Sequence, residues 1–376
     1  MTAERAGRRR IAAAVLVTLA VLATAGWAIV GRRTDPGAHA TARLPLDAPL
    51  PTVIPPGTRL VVGDPTTQRV AHHLGWDKNL PFEIEWANIS GGPAVTEAFQ
   101  ARALDIGSAA NIPPIHAIWV GIPVKIIAWR QKREPLKYPG YVIGTSPGSG
   151  IRTLADLKGK KIAFSPGQAQ GAVVLNTLKV AGLTTRDVQL VDLPATAGVY
   201  DNALASNLVD AAPLGRAALT TKRYVADYGK EGARLLEHGP FRDDAGILYV
   251  RTETLEDPAK AAAIREYVKL HARAADWTRE HREEWNRIYY LQDQHVSLED
   301  ARWIIEHGGG AGETPKDWDD VIAYQQQTID FMADQIGRER FDAATLFDRR
   351  FEKVPQEDAA STVAAASHDS LSHKTP

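Results

Sequence analysis

Lys161-Ile162-Ala163-Phe164-Ser165-Pro166-Gly167-Gln168-Ala169-Gln170-Gly171 begins as a short apolar run, passes through a glycine-containing turn and enters a long apolar stretch that Gly182 closes. The run over 161–165 predicts a strand and 167–181 a helix, with glycine in the favoured place just past the helix end. Such a turn exposes several backbone amides and the carboxamides of Gln168 and Gln170 at a helix N-terminus. Free N–H groups and partial positive charge there favour an anion without needing a buried cation. The turn lacks the Lys-Ser/Thr of a Walker motif, so nucleotide phosphate is not indicated.

The same alternation continues on both sides. Residues 59–63, 82–86, 104–108, 124–129, 140–144, 188–193 and 209–213 read as strands, and 92–102 as a helix opened by Gly-Gly-Pro. Repeated strand–helix units imply an α/β fold with mainly parallel sheets covered by helices. From Asp257 to Phe351 the pattern turns almost wholly helical, with Trp277, Trp285, Trp303 and Trp318 among charged residues. That stretch reads as a C-terminal helical cap. No solenoid-type repeat occurs.

The 376 residues include 44 Lys and Arg against 45 Asp and Glu, a balance that offers no field for holding nucleic acid. There is no cysteine, which excludes disulfides, thiolate nucleophiles, cysteine-bound zinc, iron–sulfur clusters and a lipid on a cysteine of this chain. The charge is unevenly placed: residues 1–33 carry six basic side chains and one acidic one. Arg8, Arg9 and Arg10 precede twenty uncharged residues, Ile11 to Val30. As a helix that run spans roughly 30 Å, a bilayer core, and predicts a membrane-targeting helix with the body outside the membrane. Ala23-Thr24-Ala25 suits a signal peptidase, whereas the apolar run continues to Val30, so a cleaved peptide and a retained anchor both remain open. Residues 34–57 hold six prolines and read as an extended linker. Residues 355–376 have little to bury and read as a disordered tail.

Four segments resemble the substrate-binding proteins of ABC importers, in the branch that binds aliphatic sulfonates, taurine, nitrate and thiamine precursors. They are Ser90 to Phe99 with Leu104 to Ser108; Asn111 to Ile115 with Gly121 to Val124; Ile151 to Phe164 leading into Gly167; and Ala181 to Val188 with Leu208 to Ala211. The resemblance implies a type II periplasmic-binding-protein-like fold of two lobes around a ligand cleft, closing like a hinge. Lobe one would comprise 58–142, with 245–354 returning to it as the cap, and lobe two 143–244. The family pattern departs at the pocket, where Ala109-Ala110-Asn111, Gln168-Ala169, Gly171 and Ala212-Pro213-Leu214 stand in place of other residues.

In open parallel sheets ligands sit beyond the carboxyl ends of strands. Candidate ligand contacts are therefore Thr66 and Gln68 after the first strand, unless Asp64 or Thr66 serves only as a helix cap. Gly91 and Gly92 follow, where glycine permits close backbone approach or merely the turn before Pro93. Ser108 and Asn111 end another strand. Ser165, Gly167, Gln168, Ala169 and Gln170 form the turn described above, and Arg216 is placed either to clamp an anion or to lie solvated. Trp76, Trp86 and Trp129 would line an apolar wall or fill the core.

The expected function is extracytoplasmic capture of a small organic anion and its delivery to an ABC permease and its ATPase. The protein would be a monomer with no cofactor, no metal and no covalent chemistry. The alternative is a non-thiol enzyme on the same scaffold, such as a dehydratase-like enzyme of cofactor biosynthesis. Its acid or base would have to come from pairs such as Asp243-Asp244 or Glu283-Glu284, which a loop and a solvated helix surface also explain. The eleven histidines show no His-x-x-x-His or His-Glu-x-x-His spacing, and no Gly-x-Ser-x-Gly occurs.

Overall fold

A computed structural model describes residues 43–89, 91–196, 198–308 and 312–357. The expected membrane-targeting helix and most of the expected tail lie outside the described residues, as does Ser90. Among the described residues no helix is long and apolar enough to cross a membrane.

Two five-stranded sheets organise the chain. The first has the order β2-β1-β3-β10-β4, built from β1 Arg59–Gly63, β2 Glu83–Trp86, β3 Ile106–Ala110, β4 Val124–Arg130 and β10 Gly246–Arg251. The second has the order β7-β6-β8-β5-β9, from β5 Tyr141–Thr145, β6 Lys161–Phe164, β7 Gln189–Asp192, β8 Ala211–Gly215 and β9 Leu235–Leu236. Each sheet is mixed, with four strands running one way and one running against them. β1 pairs in parallel with β2 and β3, but β10 runs antiparallel between β3 and β4. In the second sheet β6 is parallel to β7 and β8, and β5 runs antiparallel between β8 and β9. The antiparallel members follow from the connectivity. The chain leaves the first sheet after β4, and each antiparallel strand is the first that it lays down on entering or re-entering a sheet. The division expected at 142/143 runs through β5, so the chain has entered the second sheet two residues earlier.

Helices cover the sheets: α1 Pro65–Leu74, α2 Gly92–Gln100 and α3 Ile112–Trp119 on the first, α4 Ala169–Val180, α5 Val199–Ala205 and α6 Leu219–Tyr228 on the second. The C-terminal stretch read as a cap is helical: α7 Pro258–Glu280, a short turn Arg282–Trp285 running into a π-helix Asn286–Asp293, α8 Leu298–Gly308 and α9 Asp319–Ile336. α1 starts where it does because the Asp64 carboxylate accepts from Thr67 N at 3.2 Å and Pro65 takes the first turn without needing a donor. Gly75, at φ 69°, ends it.

The interior strand β10 is shut off on both faces, Leu248, Tyr249 and Val250 all being fully buried, as expected for a strand covered by helices on each side. α4 buries nine of its twelve residues. Its first turn leaves the second sheet's core, and Ala169 and Ala172 join the first sheet's core instead. α9 likewise bridges the bodies, contributing Ile329 and Met332 to the first core and Phe331 and Ile336 to the edge of the second.

The two crossings, 131–140 and 237–245, are tied to one another. Asp243 accepts from Gly140 N at 2.8 Å and Tyr141 N at 2.9 Å, and Asp244 accepts from Lys132 N at 2.7 Å. Residues 43–57 contain no helix or strand, as a linker would, but they lie on the body instead of leading away from it. Leu46, Leu50 and Ile54 pack on the first core, and Leu44 N donates to Glu256 O at 2.7 Å. At the other end Val354 is buried and residues 354–357 form a helical turn, so order extends past the expected boundary at 355.

Candidate functional site

The carboxyl ends of β1, β3 and β4 converge on a cavity of about 350 Å³, the position that strand polarity dictates for a ligand in such sheets. β1 delivers Asp64 and Thr66, β3 delivers Ser108, and β4 delivers Arg130; Gly246 at the start of β10 completes the floor. A second cavity of about 340 Å³ shares Thr66 and Arg130 with the first and is otherwise walled mainly by the cap.

Arg130 is the last residue of β4, half-buried with its side chain on both cavities. Its Nε is sealed from solvent without a hydrogen-bond partner, and among the described residues its guanidinium forms no ion pair. Burial pulls its pKa below the usual arginine range, opposed by Asp64 and Asp276. The group remains a cation.

Asp64 is fully engaged elsewhere. Its Oδ2 accepts from Thr67 Oγ1 at 2.6 Å and Tyr267 Oη at 3.0 Å, and lies 2.7 Å from His271 Nδ1. Burial alone would raise its pKa, but the His271 charge and the hydrogen bonds from His271 and Thr67 outweigh it and bring the carboxyl down to about 2. The network fixes the first turn of α1 and so positions Thr66. Asp244 also lines the first cavity, and its carboxylate is held by Lys132 N and Arg242. Lys132 contributes a second cation, whose pKa burial lowers, with Nζ donating to Tyr138 O at 2.7 Å. The acids are thus neutralised by the protein, while Arg130 is left with hydrogen-bonding capacity toward the cavity. That arrangement suits a small oxyanion.

Of the sequence-predicted contacts, Thr66, Gly91 and Ser108 line the first cavity. Ser108 Oγ donates to Gly63 O at 2.9 Å, leaving its lone pairs. The helix cap in question is Asp64, which leaves Thr66 available. Gln68 sits half-buried on α1 outside both cavities. Asn111 is buried and paired with Gln325 of α9.

The turn before α4 is placed differently again. Its residues Ser165, Gly167, Gln168, Ala169 and Gln170 line neither cavity. Gln168 is buried against α2, so that a Cβ at Gly92 would lie 2.6 Å from its carboxamide nitrogen, and Gly167 abuts the His116 ring. The cause is composition: with Ala169 and Ala172 inside the first core, the first turn of α4 is a packing surface. Arg216 is spent on Pro139 O at 3.2 Å and on an ion pair with Glu237. Trp129 is fully buried, while Trp86 packs on His72 and Tyr267 and Trp76 lies beneath Arg273. None of the three lines either cavity.

Arg130, Lys132, His271 and the cap aromatics were not anticipated. The available signal for Arg130 was a cation one residue beyond an apolar strand, immediately before a crossing. Among the described residues no group of three or more His, Asp or Glu side chains is placed to hold a metal ion.

A family model described as NMT1/THI5 like matches residues 68–285. A protein of Escherichia coli (strain K12) named for binding aliphatic sulfonates is 31% identical over 214 residues, covering 56% of this chain and 63% of its own length. The chain thus spans less than two thirds of that relative. A Bacillus subtilis (strain 168) protein of the same name is 25% identical over 302 residues, covering 78% of this chain and 85% of its own. Among solved structures, the alkanesulfonate-binding protein of Xanthomonas axonopodis pv. citri bound to MOPS aligns with TM-score 0.64 and 23% identity. That alignment covers 78% of this chain and 99% of the other, and it places the two mixed sheets in the periplasmic-binding-protein fold.

Proposed function

The chain belongs to the NMT1/THI5-like family, and on that premise we propose that it is the extracytoplasmic solute-binding component of an ABC importer. Its ligand is a small organic anion of the sulfonate class, held between two lobes and passed to a permease. The lobes are the two sheets with their helices, joined by the crossings around Asp243 and Asp244. The observation that carries this reading is Arg130, a cation on the cavity at a strand end whose buried Nε has no hydrogen-bond partner. The names of the two curated relatives agree with an anionic headgroup.

Binding without reaction is favoured by the same geometry. Asp64 and His271, an acid and an imidazole on the first cavity, are locked to one another and to Tyr267 and Thr67. Capture then needs only that the closed arrangement bind ligand more tightly than the open one. Residues 11–30 export the body, as a cleaved or retained segment.

The test is native mass spectrometry of the purified protein with methanesulfonate, taurine and nitrate, followed by analysis of the released small molecule. One anion bound and recovered unchanged supports the reading. Recovery of a converted product would replace it with the enzyme alternative.

A further inference from the structure

The second cavity sets aromatic and branched apolar side chains beside Thr278 and Arg282, and that wall bears on what hangs from the anionic head. Its wall is built by the cap: Trp285, Tyr289 and Tyr290 from the turn and π-helix, and Ile304 and Ile305 from α8. Trp285 and Tyr289 stack with ring centres 4.8 Å apart and planes at 10°, and the Arg69 guanidinium lies over Tyr289 at 4.9 Å. The Tyr289 ring is therefore fixed from two directions before any ligand arrives, which lowers the ordering cost of binding. The π-helix is a wider, rarer turn that recurs at functional sites. Here it brings both tyrosines to the cavity.

The far side is closed from the second sheet's body. Ala217 lines the cavity there, and a Cβ at Gly308 would stand 3.8 Å from the Ala217 methyl. α8 is held over the gap by Lys222 of α6, which reaches Asp300 at 2.8 Å and lies 5.7 Å from the Trp303 ring centre. Ile304 and Ile305 thus sit on a helix pinned to both bodies. Since Arg130 and Thr66 belong to both cavities, an anion on Arg130 has its substituent directed either back into the first cavity or toward the aromatic and isoleucine wall of the second.

We infer that the second cavity is the site for an aromatic or comparably bulky apolar tail, so that the cargo is a two-part organic anion with its head on Arg130 and its tail between Trp285, Tyr289 and the α8 isoleucines. This rests on the proposed binding function and names its substrate class. Aromatic and isoleucine side chains favour an apolar tail, and burying its surface adds affinity that a methyl group cannot supply.

The experiment is calorimetric titration of the full chain with methanesulfonate, benzenesulfonate and naphthalene-2-sulfonate, using the wild type, Trp285→Ala and Gly308→Leu. Gly308→Leu serves as the second variant because a Cβ there meets only an ordinary contact and removes no packing. The expected result is affinity rising at least about tenfold from the methyl to the aryl sulfonates. Either variant should erase most of that rise while leaving methanesulfonate within about twofold, since a tail pocket acts only on ligands with a tail. Equal affinities across the series, or a rise that neither variant reduces, would overturn the inference while leaving anion binding intact. Failure of all three anions to bind the wild type would instead remove the binding function on which it rests.

Discussion

Gly246 stands directly opposite Arg130 on the antiparallel ladder between β10 and β4. A Cβ built on Gly246 meets no atom within 4 Å, and Gly246 lines the same cavity as the Arg130 guanidinium. Space beside the cation therefore depends on a missing side chain. Gly246→Leu is expected to weaken methanesulfonate binding at least about tenfold, a loss near 1.4 kcal/mol, with an unchanged urea midpoint. Calorimetry and denaturation on the same sample check this, and retained affinity would move the anion away from Arg130.

Asn111 and Gln325 are paired in both directions. Asn111 Nδ2 donates to Gln325 Oε1 at 2.9 Å, and Gln325 Nε2 donates to Asn111 O at 2.9 Å. Both residues are buried, so Gln325→Leu strands a carboxamide and a carbonyl. The expected cost is about 1–3 kcal/mol, read from urea denaturation, while anion affinity stays near wild type. A large loss of affinity with no loss of stability would return Asn111 to the ligand.

Asp64 makes stability depend on acid pH. Its folded pKa of about 2 lies below the ordinary 3.8, so its contribution is complete above 3.8 and is lost as pH falls toward 2. A shift of that size is worth on the order of 2 kcal/mol. Asp64→Asn should therefore be less stable than wild type by that order at pH 6, the gap narrowing between pH 4 and 2. A gap that is constant across that window would separate the network from the carboxylate charge.

Asp243 has no exposed side-chain surface and accepts from Gly140 N and Tyr141 N, with His238 Nε2 at 3.2 Å. It fastens one crossing to the other. Asp243→Ala is expected to cost about 3 kcal/mol, the scale of losing hydrogen bonds to a buried charge. Hydrogen exchange at the Gly140 and Tyr141 amides should accelerate more than at β10. Uniform acceleration would mean that the whole fold loosens and that the crossings are not specifically held.

Much of the fold was legible because it is encoded locally. Apolar runs marked β1, β4 and β6, Gly-Gly-Pro opened α2, and Gly182 followed α4 closely. The order of strands was less accessible. β10 lies more than a hundred residues from β4 yet inserts between β3 and β4, a pairing set by tertiary packing. The family resemblance supplied the two-body plan and led to the carboxyl ends of the strands, where Thr66, Gly91 and Ser108 do line the cavity. It also drew weight to the α4 turn, whose alanines are packing residues in this chain. Arg130 escaped notice because a charge ending an apolar strand reads locally as a strand terminator. Its lack of a partner is visible only once Asp64 is seen bound to His271 and Tyr267.

The central claim is that Arg130 holds the anion, and Arg130→Gln, titrated with methanesulfonate beside the wild type at fixed salt, tests it most directly. The account predicts at least about hundredfold weaker binding, the scale of a charged hydrogen-bonded contact, with an unfolding midpoint no lower than wild type because no protein group loses a hydrogen bond and the desolvation of Arg130 exceeds its attraction to Asp64 and Asp276. Affinity within threefold of wild type would contradict it.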